Sequence, residues 1–324
     1  MRVHIQNTAS ANFQVTQAQW DAACARAGES GHVVTIASTA EEGRAALRDA
    51  ELLISATSMV RALFPTEAPA LRTVFCTSAG LDRLVPVEDW LPDGVALLTN
   101  RGAHAAKAGE YGLMALLMLA NHMPRLLTAQ RDGKWDALHG STLAGRRLVV
   151  VGLGALGGTT AGYARGHHME VIGVRTSATP HEACDRVVTI DALDAELPGA
   201  DMVFLATPLT PATRNLLDAR RISLLAPQAG VVNVGRGGLL DQDALCDALD
   251  GGRLAGAVLD VFTPEPVPAG HRLWTTRNLI MTPHVSADDP NTYNDLSLDI
   301  LFRNLAAARK GNSMPNRFDP ARGW

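Results

Sequence analysis

Val149-Val-Val-Gly152-Leu-Gly154-Ala-Leu-Gly157 decides the fold of this chain. A β-branched run ending in glycine predicts a buried strand, and the G-x-G-x-x-G spacing predicts a dinucleotide-binding turn. In such a turn Gly152 permits the tight bend, Gly154 lets a pyrophosphate approach the backbone, and Gly157 allows close helix–strand packing. The amides of Ala155 and Leu156, at the start of the following helix, would hold phosphate charge. The glycine spacing alone is a weak signal. Here a strand near 147–151 precedes it, helix-forming Ala161–Arg165 follows, and another strand comes next, which makes the assignment strong.

The same alternation extends in both directions. Upstream, apolar runs predict strands at Val3–Gln6, Val33–Ala37, Leu52–Ser55, Val74–Thr77 and Ala96–Thr99, with helical segments such as Ala18–Ala27 and Glu41–Asp49 between them. A helix-rich stretch runs from Ala105 to Arg131. A second series of strands follows near 147–151, 171–174, 187–190, 202–206, 230–234, 255–260 and 279–281, and then a helix from Pro290 to Arg309. Alternating β and α implies parallel sheets covered by helices on both faces. The fold class expected is α/β, with two doubly wound parallel-sheet domains, one inserted into the other. The first domain comprises residues 1–100 and 286–324, and the second residues 101–285.

Three polar residues follow strands of the second series: Arg236 in Asn233-Val-Gly-Arg-Gly, Glu265 in Asp260-Val-Phe-Thr-Pro-Glu-Pro, and His284 in Thr282-Pro-His-Val. Residues just beyond the carboxyl ends of parallel strands line the ligand crevice. Singly, each has an ordinary structural explanation; together, beside a dinucleotide turn, they suggest hydride chemistry on a small 2-oxo acid. Arg236 would anchor the carboxylate and polarise the carbonyl, because a guanidinium forks onto a carboxylate and stays charged. His284 would deliver the proton, since an imidazole titrates near pH ~6.5. Glu265, on the distal ring nitrogen, would favour the imidazolium and orient it.

The cofactor preference is read from Arg175-Thr-Ser177, where an NAD enzyme would place Asp or Glu to bind the ribose hydroxyls. A carboxylate repels a 2′-phosphate, whereas Arg175, Thr176 and Ser177 can bind one. NADP is therefore the preferred cofactor, with NAD possible.

Composition narrows the class. The 324 residues suffice for two domains, and 47% hydrophobic with 19% charged residues fits a globular enzyme. A net charge of −4 without a basic run argues against a nucleic-acid partner. Cys24, Cys76, Cys184 and Cys246 are scattered without metal-ligand spacing, so no metal is expected and the thiols read as reduced, as in a cytoplasmic protein. The amino terminus reads as a strand without a secretion signal, and the apolar run Tyr111–Ala120 is too short for the roughly 20 residues of a membrane span. His167-His168 reads as a solvated pair at a helix end, and Trp135 and Trp274 as packing or interface residues.

The chain resembles the D-isomer-specific 2-hydroxyacid dehydrogenases, especially their glyoxylate/hydroxypyruvate reductase-like branch. The resemblance spans nearly the whole chain. It rests on Ser78-Ala-Gly-Leu-Asp82, the helix from Ala105, the glycine turn, Ala206-Thr-Pro-Leu-Thr210, Asn233–Gly238, Leu259-Asp-Val-Phe262 and Thr282-Pro-His-Val285. It implies two Rossmann-like domains, the first binding substrate. It matches Arg236 to the substrate arginine and Glu265 with His284 to the acid/base pair. The amides of Ala79 and Gly80 match the loop that grips the substrate carboxylate. Asp260 matches the nicotinamide carboxamide contact, and Thr207, Pro208, Val234 and Gly235 lie along the cofactor groove. A homodimer formed through residues 105–141 is implied as well. Two features depart from the commonest pattern: Arg175 itself, and Val285-Ser-Ala-Asp288 after the histidine in place of an Ala-Gly or Ser-Gly form. Formate- or phosphite-oxidising relatives and a nicotinamide-sensing corepressor are the competing readings; formate enzymes carry Gln where this chain has Glu265.

Overall fold

The structure, a computed structural model, describes residues 1–8, 13–81 and 83–320, so Asp82 of the Ser78–Asp82 motif lies outside the described residues. The chain divides into two compact units, Met1–Ala103 with Asp289–Trp324, and His104–Asp288.

The first unit is built on five parallel strands, β1 (Arg2–Gln6), β2 (Val33–Ala37), β3 (Leu52–Ser55), β4 (Thr73–Cys76) and β5 (Ala96–Leu98), in the order β2-β1-β3-β4-β5. β3 and β4 are buried along their whole length, which is why Leu-Leu-Ile-Ser and Thr-Val-Phe-Cys read as runs rather than alternations. Helices α1 (Gln17–Ala27), α2 (Ala40–Leu47) and α3 (Thr57–Leu63) connect them. Thr16 and Gln19 close a reciprocal capping box that starts α1, an arrangement that satisfies two otherwise orphaned amides.

The second unit opens with α4 (Ala105–Ala120) and α5 (Met123–Arg131), then alternates β6 (Arg147–Val151), α6 (Ala155–Gly166), β7 (Glu170–Arg175), β8 (Arg186–Thr189), α7 (Leu193–Glu196), β9 (Met202–Leu205), α8 (Ala219–Leu224), β10 (Gly230–Asn233), α9 (Gln242–Asp250), β11 (Gly256–Leu259) and β12 (Leu279–Met281). Its seven strands are all parallel, ordered β12-β11-β10-β9-β6-β7-β8. The sheet is therefore doubly wound, and every strand's carboxyl end lies at one edge. The four apolar residues of β6, Leu148 to Val151, are 0–1% exposed. Each such side chain stabilises the unit by roughly 1.5–3 kcal/mol relative to exposure. α4 lies tightly on α6 because Gly109 and Gly112 face Thr159 and Thr160; a Cβ at either glycine would stand 2.4 or 2.3 Å from a threonine side-chain atom. The chain then returns to the first unit as α10 (Tyr293–Arg309), which packs on α1 through Trp20 and Phe302, ring centroids 5.3 Å apart.

The stretch expected to be helical from Ala105 to Arg131 is two helices, separated at Asn121–His122 where His122 takes a left-handed φ of 54° and Pro124 follows. No helix of the described residues is long and apolar enough to cross a membrane.

Candidate active site

Gly152 follows β6 with φ +95°, a backbone conformation that disfavours side chains. A Cβ there would also meet Ala206 O and Thr207 N, both at 2.7 Å, so the turn and the segment after β9 touch backbone to backbone. A Cβ on Gly157 would stand 1.9 Å from Gly152 O, which holds α6 against the turn. Gly154 is the opposite case. It is exposed, nothing stands within 4 Å of its would-be Cβ, and no side chain caps α6 at this end. The amides opening α6, at Ala155 and Leu156, have no hydrogen-bond acceptor among the described residues and stand at the positive end of a helix. That cradle fits the pyrophosphate of a dinucleotide. Arg175 ends β7 half-buried, with Thr176 and Ser177 exposed after it. Thr207 and Pro208 follow β9 at the same sheet edge.

Arg236, Glu265 and His284 follow β10, β11 and β12, which are adjacent in the sheet. Asn233, fully buried at the end of β10, shapes the first of these turns: its Oδ1 accepts from Gly235 N at 3.1 Å and its Nδ2 donates to Arg236 O at 3.0 Å. Gly235 packs where a Cβ would lie 2.9 Å from Thr207 O. Gly237 lies closer still to its neighbour, since a Cβ would come within 2.1 Å of the Phe262 carbonyl carbon. The glycine after Arg236 therefore lets the arginine's turn abut the segment that carries Glu265. Arg236 donates from Nη1 to Gly235 O at 2.8 Å.

Glu265 is fixed at both oxygens. Oε1 accepts from Phe262 N at 2.8 Å, and Oε2 lies 2.9 Å from His284 Nδ1. Gln242 of α9 clamps the same loop, donating to Thr263 O at 2.8 Å and accepting from Thr263 N at 3.0 Å. The histidine side chain is 47% exposed and the glutamate 23%, so the pair is accessible from the histidine side. With Nδ1 turned to the carboxylate, Nε2 is the ring nitrogen left for a ligand.

His284 has φ +56°, a left-handed conformation that costs a non-glycine residue about 1–3 kcal/mol and persists only where surroundings enforce it. Asp260 enforces it. Its carbonyl accepts from His284 N at 2.9 Å, while its fully buried carboxylate accepts from Val285 N at 2.9 Å, Ser286 N at 3.0 Å and Thr282 Oγ1 at 2.6 Å. Three of about four acceptor directions are thus taken by the loop that presents the histidine. The sequence drew attention to Asp260 only through resemblance and passed over Gln242 and the Thr282 hydroxyl, because partners 21–25 residues apart leave no local pattern.

The loop holding Ala79 and Gly80 follows β4 in the first unit. Thr77 O accepts from Asn100 Nδ2 and from the Tyr293 hydroxyl, and Ser78 O accepts from Asn100 N. Among the described residues, neither the Ala79 nor the Gly80 amide donates a hydrogen bond. His104, buried at the start of α4, directs Nδ1 to Ala287 O at 3.0 Å. Trp274 donates to Pro268 O, whereas Trp135 is fully exposed. All four cysteines are free and buried, and no metal-binding cluster occurs among the described residues.

Comparison with known proteins agrees with this layout. Residues 113–286 match the model of the D-isomer specific 2-hydroxyacid dehydrogenase NAD binding domain. D-3-phosphoglycerate dehydrogenase 2 of Arabidopsis thaliana is 32% identical over 269 residues, 81% of this chain but 42% of its own length; this chain spans about half the length of such curated relatives. A D-isomer specific 2-hydroxyacid dehydrogenase from Xanthobacter autotrophicus Py2, solved with NADPH and MES, is 29% identical with a TM-score of 0.81 over 99% of both chains. An NADPH-dependent glyoxylate/hydroxypyruvate reductase from Sinorhizobium meliloti, solved with NADP and sulfate, is 25% identical with a TM-score of 0.81 over the whole of both chains. The chain belongs to the D-isomer specific 2-hydroxyacid dehydrogenases, a family of NAD(P)-dependent oxidoreductases.

Proposed function

We propose that this protein reduces a small 2-oxo acid of the glyoxylate or hydroxypyruvate kind to the D-2-hydroxy acid, with NADPH preferred over NADH. The observation that carries this reading is the 2.9 Å contact between Glu265 and His284 on the strand edge that also holds Arg236 and the glycine turn.

Arg236 binds the substrate carboxylate and draws electron density from the adjacent carbonyl. His284, doubly protonated and held by Glu265, gives its Nε2 proton to the carbonyl oxygen. When bound, a reduced nicotinamide would supply the hydride for the carbonyl carbon, so that the carbonyl group would gain one hydride and one proton and become the alcohol. Glu265 keeps the ring oriented and offsets the charge of the imidazolium before transfer. The amides of Ala155 and Leu156, with Gly152, Gly154 and Gly157, hold the pyrophosphate. Thr207, Pro208, Val234 and Gly235 line the groove; a carboxamide contact for Asp260 is supported by the family resemblance alone, since its buried carboxylate already accepts from Thr282, Val285 and Ser286. For Ala79 and Gly80, a substrate-carboxylate role is supported by their two unbonded amides and by the family resemblance.

The NADPH preference rests on Arg175, Thr176 and Ser177 in place of a ribose-binding carboxylate, and two similar structures carry NADPH or NADP. We further propose a homodimer through residues 105–141, a region that exposes Met114, Leu117, Leu127 and Trp135, and a cytoplasmic setting suited to its four thiols.

The test is a spectrophotometric screen of 2-oxo acids, including the 2-oxo counterpart of 3-phosphoglycerate, with both reduced cofactors. Turnover of a two- or three-carbon 2-oxo acid, faster with NADPH, supports the reading. Tight cofactor binding without turnover of any 2-oxo acid would favour a nicotinamide-sensing protein instead.

A further inference from the structure

Helix α4 sends one polar side chain into the packing behind the histidine loop. Tyr111 is 5% exposed, and its hydroxyl lies 2.6 Å from Thr282 Oγ1. Thr282 Oγ1 in turn donates to Asp260 Oδ1 at 2.6 Å. A threonine hydroxyl has one proton. With that proton committed to a carboxylate, the Tyr111 O–H must be the donor to Thr282. Donation therefore runs one way, from phenol to hydroxyl to carboxylate, and bonds in such a chain polarise one another. Its end point, Asp260, is the residue whose carbonyl and carboxylate fix the amides of His284, Val285 and Ser286.

We propose that Tyr111 is a positioning residue for His284, acting through Thr282 and Asp260 to hold the histidine's left-handed turn in place. The kinetic consequence rests on the reduction mechanism above; the structural consequence does not. Burial pushes the Tyr111 phenol up to about 12, against the lowering effect of its bond to Thr282, so it remains a donor across the working range of any enzyme near neutrality. The ring belongs to the buried apolar cluster between α4, α6 and the sheet, which separates its packing role from its hydroxyl. Phenylalanine preserves the first and removes the second.

The experiment combines hydrogen exchange on the full-length, ligand-free chain with steady-state kinetics. In Tyr111→Phe, exchange of the Val285 and Ser286 amides should accelerate about tenfold while amides of β12 stay unchanged, as expected when one hydrogen bond of a local network is lost. The same variant should lower kcat by about three- to tenfold with KM for the 2-oxo acid within about twofold. Thr282→Val should lose at least as much, Thr282→Ser should retain kcat within about twofold, and Tyr111→Phe should add nothing to Thr282→Val, because the phenol acts only through that hydroxyl. Unchanged loop exchange in Tyr111→Phe, acceleration spread equally over β12, or losses that multiply in the double variant would each overturn the proposal. If the wild-type chain reduces no 2-oxo acid, the reduction reading falls, and the exchange data alone decide the role of Tyr111.

Discussion

Gly237→Ala tests what lets the arginine's turn beyond β10 abut the segment beyond β11 that carries Glu265. The added methyl would stand 2.1, 2.3 and 2.6 Å from the carbonyl carbon, carbonyl oxygen and Cα of Phe262. These are backbone atoms, so no side chain can swing aside. Reaching the 3.4 Å at which ordinary contact begins requires about 1.3 Å of separation between the two turns. Overpacking of this kind costs about 1–3 kcal/mol, and in a unit of this size each kcal/mol lowers Tm by about 2–4 °C. The catalytic effect is larger, because misplacing a reacting group by about 1 Å costs on the order of 100-fold. We expect kcat/KM for the best 2-oxo acid to fall about 100-fold, since the turn that carries Arg236 is pushed off the segment that carries Glu265. NADPH affinity should stay within about threefold, because the glycine turn after β6 is built independently of Gly237. Fluorescence titration of NADPH, a thermal melt and initial rates measure the three quantities. A variant within about threefold of wild-type kcat/KM would refute the argument that close approach at Gly237 assembles the site.

Arg175→Asp should invert the cofactor preference; losing a charge-assisted phosphate contact worth about 1.5–3 kcal/mol lowers kcat/KM with NADPH about 10- to 100-fold and spares NADH, as initial rates with both cofactors would show. Asn233→Ala leaves Gly235 N and Arg236 O without their buried partner, and should destabilise the fold by about 1–3 kcal/mol in denaturant titration while raising KM for the 2-oxo acid. Tyr111 holds its proton to about pH 12, whereas the unfolded phenol loses its proton near 10. Its contribution to stability is therefore complete below pH ~10 and is lost between pH ~10 and about 12. Ultraviolet titration should show one late tyrosine component in the wild type that is missing from Tyr111→Phe.

Most of the fold is written in short apolar runs. Leu52–Ser55 and Arg147–Val151 are strands over the residues their composition implies, because strands buried on both faces have to be continuously apolar; Val33–Ala37 is also a strand where expected, but at the sheet edge with Val33 and Ile36 exposed. Boundaries move by one residue where a polar group ends the ladder, as at Cys76, where Thr77 leaves the strand and its carbonyl pairs with Asn100 instead. Helices α3 and α8, seven and six residues long, are too short for a helical period to stand out in the sequence, and α3 has no side-chain cap. At the site, residue type and strand-end position sufficed to single out Arg236, Glu265 and His284. The supports did not show in the sequence. Tyr111 looks like one more core residue of an apolar helix, and its contact with Thr282 spans 171 residues. Gly237 looks like any turn glycine until Phe262 is seen against it.

The central claim is that the imidazole beyond β12 protonates a carbonyl oxygen while a nicotinamide is bound on the same sheet edge. His284→Ala, mixed with NADPH and the best 2-oxo acid in a single-turnover experiment, tests it most directly. The account predicts NADPH binding within about threefold of wild type and a rate of cofactor oxidation at least about 100-fold lower, the scale of a lost general acid. A single-turnover rate near that of the wild type would contradict it.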